Sequence, residues 1–364
     1  MTDAPAGTLD QFHEVQGILT HTGVGLLART TDLRRLPGRN RNWICTTDSG
    51  ARVFVKKLEG PREASAARVR QCLSFEQSLA RADSAELFTP RLLGADPAAA
   101  VLVFSCVDEA KTAVELMREE RLTHDLAHSL GHTVGLLHNL PTDDLPRERA
   151  TNPLLPSEEL LEAIPLALFE SSSAAELQVW ALLQNDADLI AALRRLLRRE
   201  REAETVAAHC DLRLDQFLVA DDGRVHLTDF EEFRAGDPAR DLGGVVGDLL
   251  YRTLLAATAR ARESDQAASR DRMVTLLAEA IGQVRPLTSV FWSGYHGTRT
   301  GTDGLLAERV TAFAGWYLLD RLLAGARSAP RLAALPRAMA GIGRKALLAP
   351  DAFVATLGLT EVQR

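Results

Sequence analysis

The alternation of apolar and polar positions predicts a β-rich first part of the chain and a mainly helical second part. Residues 43–47 and 51–58 are predicted as two strands, because short apolar runs flank an Asp-Ser-Gly turn. Residues 61–82 show helical spacing, and residues 99–107 form a further apolar strand. Residues 286–304, rich in Gly, Ser, Thr and aromatic residues, are expected to form a long loop. Further helices are predicted around residues 123–139, 157–169, 173–184, 186–205, 243–262, 268–284 and 305–327.

A second hairpin is predicted inside the helical part, with polar residues at its ends. Residues 217–219 and 225–227 are strand-like, and the Asp-Asp-Gly sequence between them is typical of a hairpin turn. Because a hairpin brings its ends together, we expect Asp211, Gln216 and Asp229 to face one pocket. Carboxylate and amide oxygens are hard ligands that suit Mg²⁺ in the company of substrate phosphates.

Composition and charge limit the class of protein. The 364 residues suffice for one bilobal enzyme or two ordinary domains, and 46% hydrophobic with 25% charged residues is typical of a soluble globular protein. A net charge of −7 and a pI of about 5.8 argue against nucleic acid as a partner. The four cysteines show no Cys-x-x-Cys spacing, and neither a signal peptide nor a membrane-spanning apolar run is visible. We therefore expect a cytoplasmic location and no membrane partner.

Residues 209–241 resemble the catalytic loop and metal-binding segment of kinases. A His-x-Asp pattern is present at His209 and Asp211, an amide residue follows that Asp after five positions, and Asp229 precedes a Phe. Residues 236–242 have the sequence Gly-Asp-Pro-Ala-Arg-Asp-Leu. This string resembles the continuation of the metal-binding segment in the aminoglycoside phosphotransferase branch of the kinase superfamily.

The resemblance implies an α+β, bilobal protein-kinase-like fold. Its small antiparallel-sheet N-lobe would comprise residues 1–107, with a hinge near residues 103–107, and its larger, mainly helical C-lobe would comprise residues 108–364. The implied activity is that of a kinase, a phosphotransferase with an alcohol group as acceptor. The implied cofactors are ATP and Mg²⁺.

Two neighbouring lysines are candidates for the lysine that binds nucleotide phosphates. Residues 53–56 resemble the third strand of a kinase small lobe, which implies this role for Lys56. Lys57 points to the opposite face because strand side chains alternate, so only one of the two can reach the pocket. Residues 38–42 stand in place of the glycine-rich loop of protein kinases, and Asn40 in this loop is a candidate for nucleotide binding.

The helix at residues 61–82 is expected to supply a carboxylate that orients the lysine. Val69, Leu73 and Glu76 share one helical face at spacings of four and seven residues. The resemblance implies that a Glu on the inward face pairs with the strand lysine, and we favour Glu76. Glu63, near the helix start, is the alternative.

Residues 99–107 resemble the strand and hinge that bind adenine in kinases. Phe104 and Cys106 are the candidate adenine-contacting positions in this stretch. Backbone groups would make these contacts, so the side-chain types carry little information.

The resemblance also implies roles in the catalytic loop and the metal segment. Asp211 would accept the proton of the acceptor hydroxyl or orient that hydroxyl. Arg213 would contact the transferred phosphate, since a guanidinium can bind a phosphate with two donors. Gln216 and Asp229 would hold Mg²⁺.

Three residues depart from the family pattern, and two acidic residues are expected to be structural. Gln216 replaces the usual Asn, Glu231 stands where Gly normally follows Asp-Phe, and Cys210 replaces Gly beside the expected base. Asp237 and Asp241 are expected to fix the catalytic loop by hydrogen bonds.

Three strings point to a narrower group. Residues 38–43, 176–184 and 211–219 resemble the kinase subunit of class V lanthipeptide synthetases, which is related to kinases of thioamitide pathways. This resemblance implies phosphorylation of Ser or Thr in a ribosomal precursor peptide. The implied partners are that precursor peptide and a separate lyase subunit, which eliminates the phosphate.

Two other functions stay open. A small-molecule, aminoglycoside-like O-phosphotransferase requires an acidic acceptor site, for which Asp108, Glu109, Asp303 and Glu308 are candidates. A pseudokinase subunit that binds nucleotide or peptide is consistent with the unusual residues at positions 216 and 231. Intact Lys56, Asp211 and Asp229 argue against a pseudokinase. The sequence leaves open the acceptor, the choice of ATP over GTP, the oligomeric state and the need for a partner.

Overall fold

A computed structural model describes residues 9–29, 32–82, 86–146, 155–263, 270–299, 301 and 303–360 of the chain. Its internal contacts divide the chain into two units. The first unit comprises Met1–Thr112, Asp143–Asn152 and Gln216–Arg234, and the second comprises Ala113–Thr142, Pro153–Asp215 and Ala235–Arg364. These two units interleave in the sequence and therefore do not test the expected lobes. The lobes at residues 1–107 and 108–364 stay a prediction.

The first unit contains the expected antiparallel sheet. Its strands are β1 (Arg34–Leu36), β2 (Arg41–Thr46), β3 (Arg52–Lys57), β4 (Leu92–Asp96) and β5 (Val101–Ser105). They lie in the order β1-β2-β3-β5-β4, and every neighbouring pair is antiparallel. Gly50 has a φ of 83° in the turn between β2 and β3, a conformation that glycine adopts without steric cost.

A helix that the sequence pattern did not predict covers one face of this sheet. Helix α1 (Leu9–His21) places apolar side chains against buried residues of the strands. The shared core consists of Val15, Ile18, Leu19, Leu27, Leu33, Trp43, Cys45, Val53, Val55, Val101 and Val103. Each large aliphatic side chain buried in this way contributes about 1.5–3 kcal/mol.

Helix α2 (Arg62–Ala82) has nearly the predicted extent but a different buried face. Cys72 and Phe75 are buried together with Val69, whereas Leu73 and Glu76 are half-buried. The expected inward face was therefore wrong by one position. The reason is a tertiary contact, since the Phe75 ring stacks on Phe230 with ring centroids 3.5 Å apart.

The predicted second hairpin is confirmed. Strands β8 (Phe217–Val219) and β9 (Val225–Leu227) pair antiparallel, and β6 (Lys111–Thr112) joins β8 on its other side. Gly223, with a φ of 83°, closes the turn by donating its N–H to the Ala220 carbonyl at 2.9 Å.

The second unit is mainly helical, as predicted. Its helices are α3 (Ala113–Arg118), α4 (His124–His138), α5 (Glu158–Glu162), α6 (Leu166–Ser171), α7 (Ala174–Gln184), α8 (Ala187–Glu202), α9 (Pro238–Glu263), α10 (Arg270–Thr298), α11 (Leu306–Ala326), α12 (Ala334–Leu348) and α13 (Pro350–Val354). Strand β7 (Val206–Ala208) pairs with β10 (Arg234–Gly236). Within the described ranges, no helix is both long and apolar enough to cross a membrane.

The long loop predicted at residues 286–304 is wrong over most of its length. Helix α10 continues through Pro286 to Thr298. Phe291, Trp292 and Tyr295 are buried, so tertiary packing outweighs the hydrogen bond lost at the proline. Helices α10 and α4 approach closely through glycines, because a Cβ at Gly131 would lie 1.9 Å from the Phe291 carbonyl oxygen.

Candidate functional site

Lys56 and Asp229 lie in direct contact in the first unit. The Lys56 ammonium on β3 donates to Asp229 Oδ1 at 2.6 Å and also pairs with Glu231. Burial alone would lower the pKa of Lys56, but the two carboxylates outweigh burial and raise that pKa. The lysine is therefore held in its charged form beside a carboxylate that is one-third exposed.

Lys57 is committed to the opposite face of the sheet. Its ammonium lies 3.1 Å from Glu14 Oε1 on α1, and Glu14 also pairs with Arg41. The alternation of side chains along β3 therefore separates the two lysines as expected. Lys56 is the lysine that contacts Asp229.

The expected pair between Lys56 and a glutamate of α2 is not formed. Glu76 is half-buried, and burial raises the pKa of its carboxyl. Glu63 is exposed in the first turn of the helix. Neither carboxylate contacts Lys56, whose second partner in this structure is Glu231.

Glu231 is the centre of a buried polar cluster that the sequence analysis did not predict. Its Oε2 accepts from Arg68 Nη1 at 2.9 Å, and its Oε1 accepts from Asn40 Nδ2 at 3.1 Å. Asn40 Oδ1 in turn accepts the Glu59 N–H at 3.2 Å. The Asn40 side chain is thus bonded within the protein at both its oxygen and its nitrogen, and it helps to hold Glu231. Its role in nucleotide binding stays a prediction. The sequence signal for this cluster was the glutamate in place of Gly after Asp-Phe.

The candidate metal-binding residues Gln216 and Asp229 are positioned by the second hairpin. The Thr228 N–H and hydroxyl donate to the Gln216 carbonyl at 3.0 and 3.2 Å, so the hairpin brings Gln216 beside the residue that precedes Asp229. Gln216 lies in a 3₁₀ turn (Leu214–Gln216) just before β8, not in the strand itself. Asp229 has a φ of 71°, which is left-handed and costs a non-glycine residue about 1–3 kcal/mol.

The oxygen ligands of these residues suit Mg²⁺ better than a metal ion that takes all of its ligands from the protein. In the described part of the chain, no three His, Cys, Asp or Glu residues are grouped to hold a metal ion. Magnesium usually keeps waters and substrate phosphates as ligands and takes only one or two carboxylates from the protein. The single partly exposed carboxylate of Asp229 is consistent with that mode of binding.

The two candidate adenine-contacting residues lie at the end of β5. Phe104 lies opposite Phe54 on the neighbouring strand β3. Both Phe104 and Cys106 are half-buried. The Cys106 N–H donates to the Arg52 carbonyl at 3.1 Å. Burial raises the pKa of the Cys106 thiol. Their role in adenine binding stays a prediction.

In the second unit, Asp211 and Arg213 lie close together on the expected catalytic loop. Arg213 Nη2 is 3.5 Å from Asp211 Oδ2, and Arg213 Nε is 3.5 Å from Asp215 Oδ1. The Asp211 side chain is 40% exposed, which leaves its carboxylate accessible to a ligand. Cys210 beside it has a φ of 66°, which explains why this position usually carries Gly.

Asp241 holds the start of this loop, as predicted. Its carboxylate accepts the backbone N–H groups of His209 and Cys210, each at 2.7 Å. The expectation was wrong for Asp237, which instead pairs with Arg309 at 2.8 Å and accepts the Ala239 N–H at 2.9 Å. Asp237 therefore fixes the start of α9 and not the loop.

Asp248 is a further loop-holding residue that the sequence analysis missed. It is fully buried on α9 and accepts the Leu214 N–H at 3.1 Å. The Tyr317 hydroxyl and Arg252 Nε also donate to it, each at 2.8 Å. An acidic residue within the apolar stretch of α9 was the signal that could have indicated a structural carboxylate.

Comparison with known proteins agrees with this architecture. Residues 32–287 match the profile of the Phosphotransferase enzyme family. No curated protein matches the chain by sequence.

Several solved structures share the fold. An amicoumacin kinase in complex with AMP-PNP, Ca²⁺ and Ami has 14% identity and a TM-score of 0.57, and the match covers 94% of this chain and 95% of that one. The Plasmodium vivax ethanolamine kinase has 13% identity and a TM-score of 0.57, with 96% and 91% covered. A spectinomycin phosphotransferase in complex with ADP and spectinomycin has 11% identity and a TM-score of 0.53, with 95% and 98% covered. At these identities the similarity shows the fold alone, and it confirms the expected kinase-like fold.

Proposed function

The chain belongs to the phosphotransferase enzyme family, and from this membership we propose that it transfers the terminal phosphoryl group of ATP to a hydroxyl group with the help of Mg²⁺. The observation that carries the proposal is the contact between Lys56 and Asp229. A charged, buried lysine beside a partly exposed carboxylate is suited to a ligand that has both anionic oxygens and a cation. A metal-bound nucleotide is such a ligand.

The residues of the first unit would bind the nucleotide. Lys56 would donate to phosphate oxygens, while Asp229 and Gln216 would hold the cation. The cation, when bound, neutralises charge on the phosphate oxygens. Two of the structurally similar proteins are described in complex with AMP-PNP or ADP, which supports an adenine nucleotide as the donor.

The residues of the second unit would act on the acceptor. Asp211 would orient the acceptor hydroxyl and accept its proton, because its carboxylate is accessible while the backbone beside it is fixed by Asp241. Arg213 would stabilise negative charge on the transferred group, in keeping with its ability to bind a phosphate with two donors. Phosphoryl transfer needs mainly such placement and charge stabilisation.

For the acceptor we propose the Ser or Thr hydroxyl of a ribosomal precursor peptide, with a separate lyase acting on the phosphorylated product. The support is the similarity of three sequence strings to lanthipeptide kinase subunits. All three strings contain core residues, since Trp43, Trp180 in α7 and Phe217 are buried. Buried positions of this kind shape the core and do not contact an acceptor.

A small-molecule alcohol is the second candidate acceptor. It is favoured by the descriptions of the structurally similar proteins, which name amicoumacin, ethanolamine and spectinomycin as kinase substrates or ligands. Of the acidic residues considered for a small-molecule site, Asp303 pairs with Arg309, Asp108 with Arg52 and Glu308 with Arg199. These pairs reduce the negative charge available to a polycationic acceptor.

Mass spectrometry with ATP and Mg²⁺ tests these proposals. A Ser- and Thr-rich precursor peptide encoded beside the gene should gain phosphate, or lose water when the partner lyase is added. Phosphorylation of an aminoglycoside, choline or ethanolamine with no change in the peptide would favour the small-molecule acceptor. ATP binding without turnover on either class of acceptor would favour the pseudokinase function.

A further inference from the structure

The second carboxylate that pairs with Lys56 belongs to Glu231 and not to a residue of helix α2. Glu231 lies two residues after Asp229 and pairs with the Lys56 ammonium on one oxygen. Its other oxygen accepts from Arg68 at 2.9 Å. The side chain of Glu231 is only 7% exposed, so these contacts are shielded from water.

Helix α2 directs a positively charged side chain into this cluster, where a negatively charged glutamate was expected. Arg68 is buried on the inward face of α2, and its Nη2 also donates to the Glu59 carbonyl at 2.5 Å. A glutamate at this place would leave Glu231 facing a like charge, whereas an arginine neutralises it. Lys56, Arg68, Asp229 and Glu231 together form a cluster of two cations and two anions.

We infer that Glu231 is the positioning residue that orients Lys56 toward the nucleotide phosphates, in place of a glutamate from helix α2. This inference rests on the proposed nucleotide-dependent function. Because Glu231 keeps Lys56 paired, Asp229 is available to hold a cation without leaving the lysine alone. Arg68 and Asn40 fix the Glu231 carboxylate from two further sides.

The alternative role for Glu231 is that of a metal ligand, since carboxylates suit Mg²⁺. The geometry favours the positioning role. Its Oε1 is occupied by Lys56 and Asn40, and its Oε2 by Arg68. The Asp229 side chain is 34% exposed, about five times as much as that of Glu231 at 7%.

The test compares Glu231→Gln with Glu76→Gln by calorimetry with ATP and with adenosine, both in the presence of Mg²⁺. We expect Glu231→Gln to weaken ATP binding by about tenfold and to leave adenosine binding unchanged, since adenosine lacks the phosphates that Lys56 would contact. Glu76→Gln should leave both affinities unchanged. A purely structural defect would weaken both ligands alike.

A double mutant separates the positioning role from the metal role. In a Lys56→Met background, Glu231→Gln should cause no further loss of ATP affinity, because its effect passes through the lysine. A further loss of similar size, or full recovery of Glu231→Gln by excess Mg²⁺, would overturn the inference. Loss of ATP affinity in Glu76→Gln but not in Glu231→Gln would do the same.

Two further measurements cover the remaining outcomes. If Glu231→Gln does not fold, Glu231→Asp takes its place in the test. We expect Glu231→Asp to lose less ATP affinity than Lys56→Met and to bind adenosine as the unaltered protein does. ATP affinity of Glu231→Asp equal to that of the unaltered protein would then count against the inference. Failure of the unaltered protein to bind ATP would refute the proposed function itself, which is a distinct result.

Discussion

His138 and Asp241 are joined by a buried contact of 3.0 Å between the imidazole Nε2 and the carboxylate Oδ2. The other ring nitrogen of His138 contacts the Tyr295 hydroxyl at 3.1 Å. Since Asp241 also accepts two backbone N–H groups of the loop before Asp211, this chain of contacts connects α4 and α10 to that loop. Burial would raise the pKa of Asp241, but His138 and the backbone donors outweigh it and lower the pKa.

Replacement of Asp241 should therefore cost stability. We expect Asp241→Asn to lower the free energy of unfolding by about 2–4 kcal/mol, because charge-assisted hydrogen bonds are lost in a fully buried site. Asp221→Asn, an exposed change in the β8–β9 turn, is the matched control and should stay within about 0.5 kcal/mol. Denaturant unfolding of the two variants measures the difference. Equal stability of both would show that Asp241 contributes little.

The same residue predicts a dependence on pH. The pKa of Asp241 is lower in the folded protein than its unfolded value of about 3.9, so its charged form is favoured by folding. Its contribution is present above about pH 4 and is lost as the pH falls through the folded-state pKa. The stability gap between the protein and Asp241→Asn should thus shrink as the pH falls below about 4. A gap that widens in acid would contradict this assignment.

Local sequence patterns were sufficient for strands β2, β3 and β5, for the second hairpin and for the separation of Lys56 from Lys57. In each case the determining interactions lie within a few residues, as with the turn at Gly223 or the alternation along β3. The family motif also identified Asp241 as a holder of the loop.

The errors arose where distant residues decide the outcome. Adjacent residues of an α-helix point about 100° apart around its axis. An error of one position in the predicted inward face therefore placed Glu76 beside Lys56, although the structure shows no contact between them. The phase of α2 is set by the stacking of Phe75 on Phe230, and Glu231 is recognisable as the partner of Lys56 only once that packing is known. The extension of α10 beyond Pro286 likewise depends on burial of its aromatic residues.

The glycine contact between α4 and α10 gives a prediction with an internal control. Gly131→Ala should destabilise the protein by about 3 kcal/mol or more, since its Cβ would lie 1.9 Å from a backbone oxygen of α10. Gly282 lies in α10 at a position where an added Cβ meets open space. Gly282→Ala should therefore stabilise the protein by up to about 1 kcal/mol. Thermal unfolding should shift in opposite directions for the two variants. Shifts of the same sign would refute the proposed close approach.

The two lysines of β3 offer another matched comparison. Lys56→Met should reduce ATP turnover by about 100-fold or more, because it removes the cation proposed to contact the phosphates. Lys57→Met removes a half-exposed surface pair with Glu14 and should change turnover by less than about twofold. Steady-state kinetics of both variants, with nucleotide affinity measured separately, tests the assignment. A larger effect of Lys57→Met would reverse the roles of the two residues.

The role of Asp211 can be separated from that of its neighbour Asp215, since each lies 3.5 Å from Arg213. Asp211→Asn should lower phosphoryl transfer by about 10²–10⁴-fold, because a proposed base is lost, while ATP affinity changes by no more than about twofold. Asp215→Asn removes a similar ion pair from the same arginine and should leave transfer nearly intact. Single-turnover kinetics and calorimetry give the two quantities. Equal losses in both variants would show that the charge around Arg213, and not a base at Asp211, determines the rate.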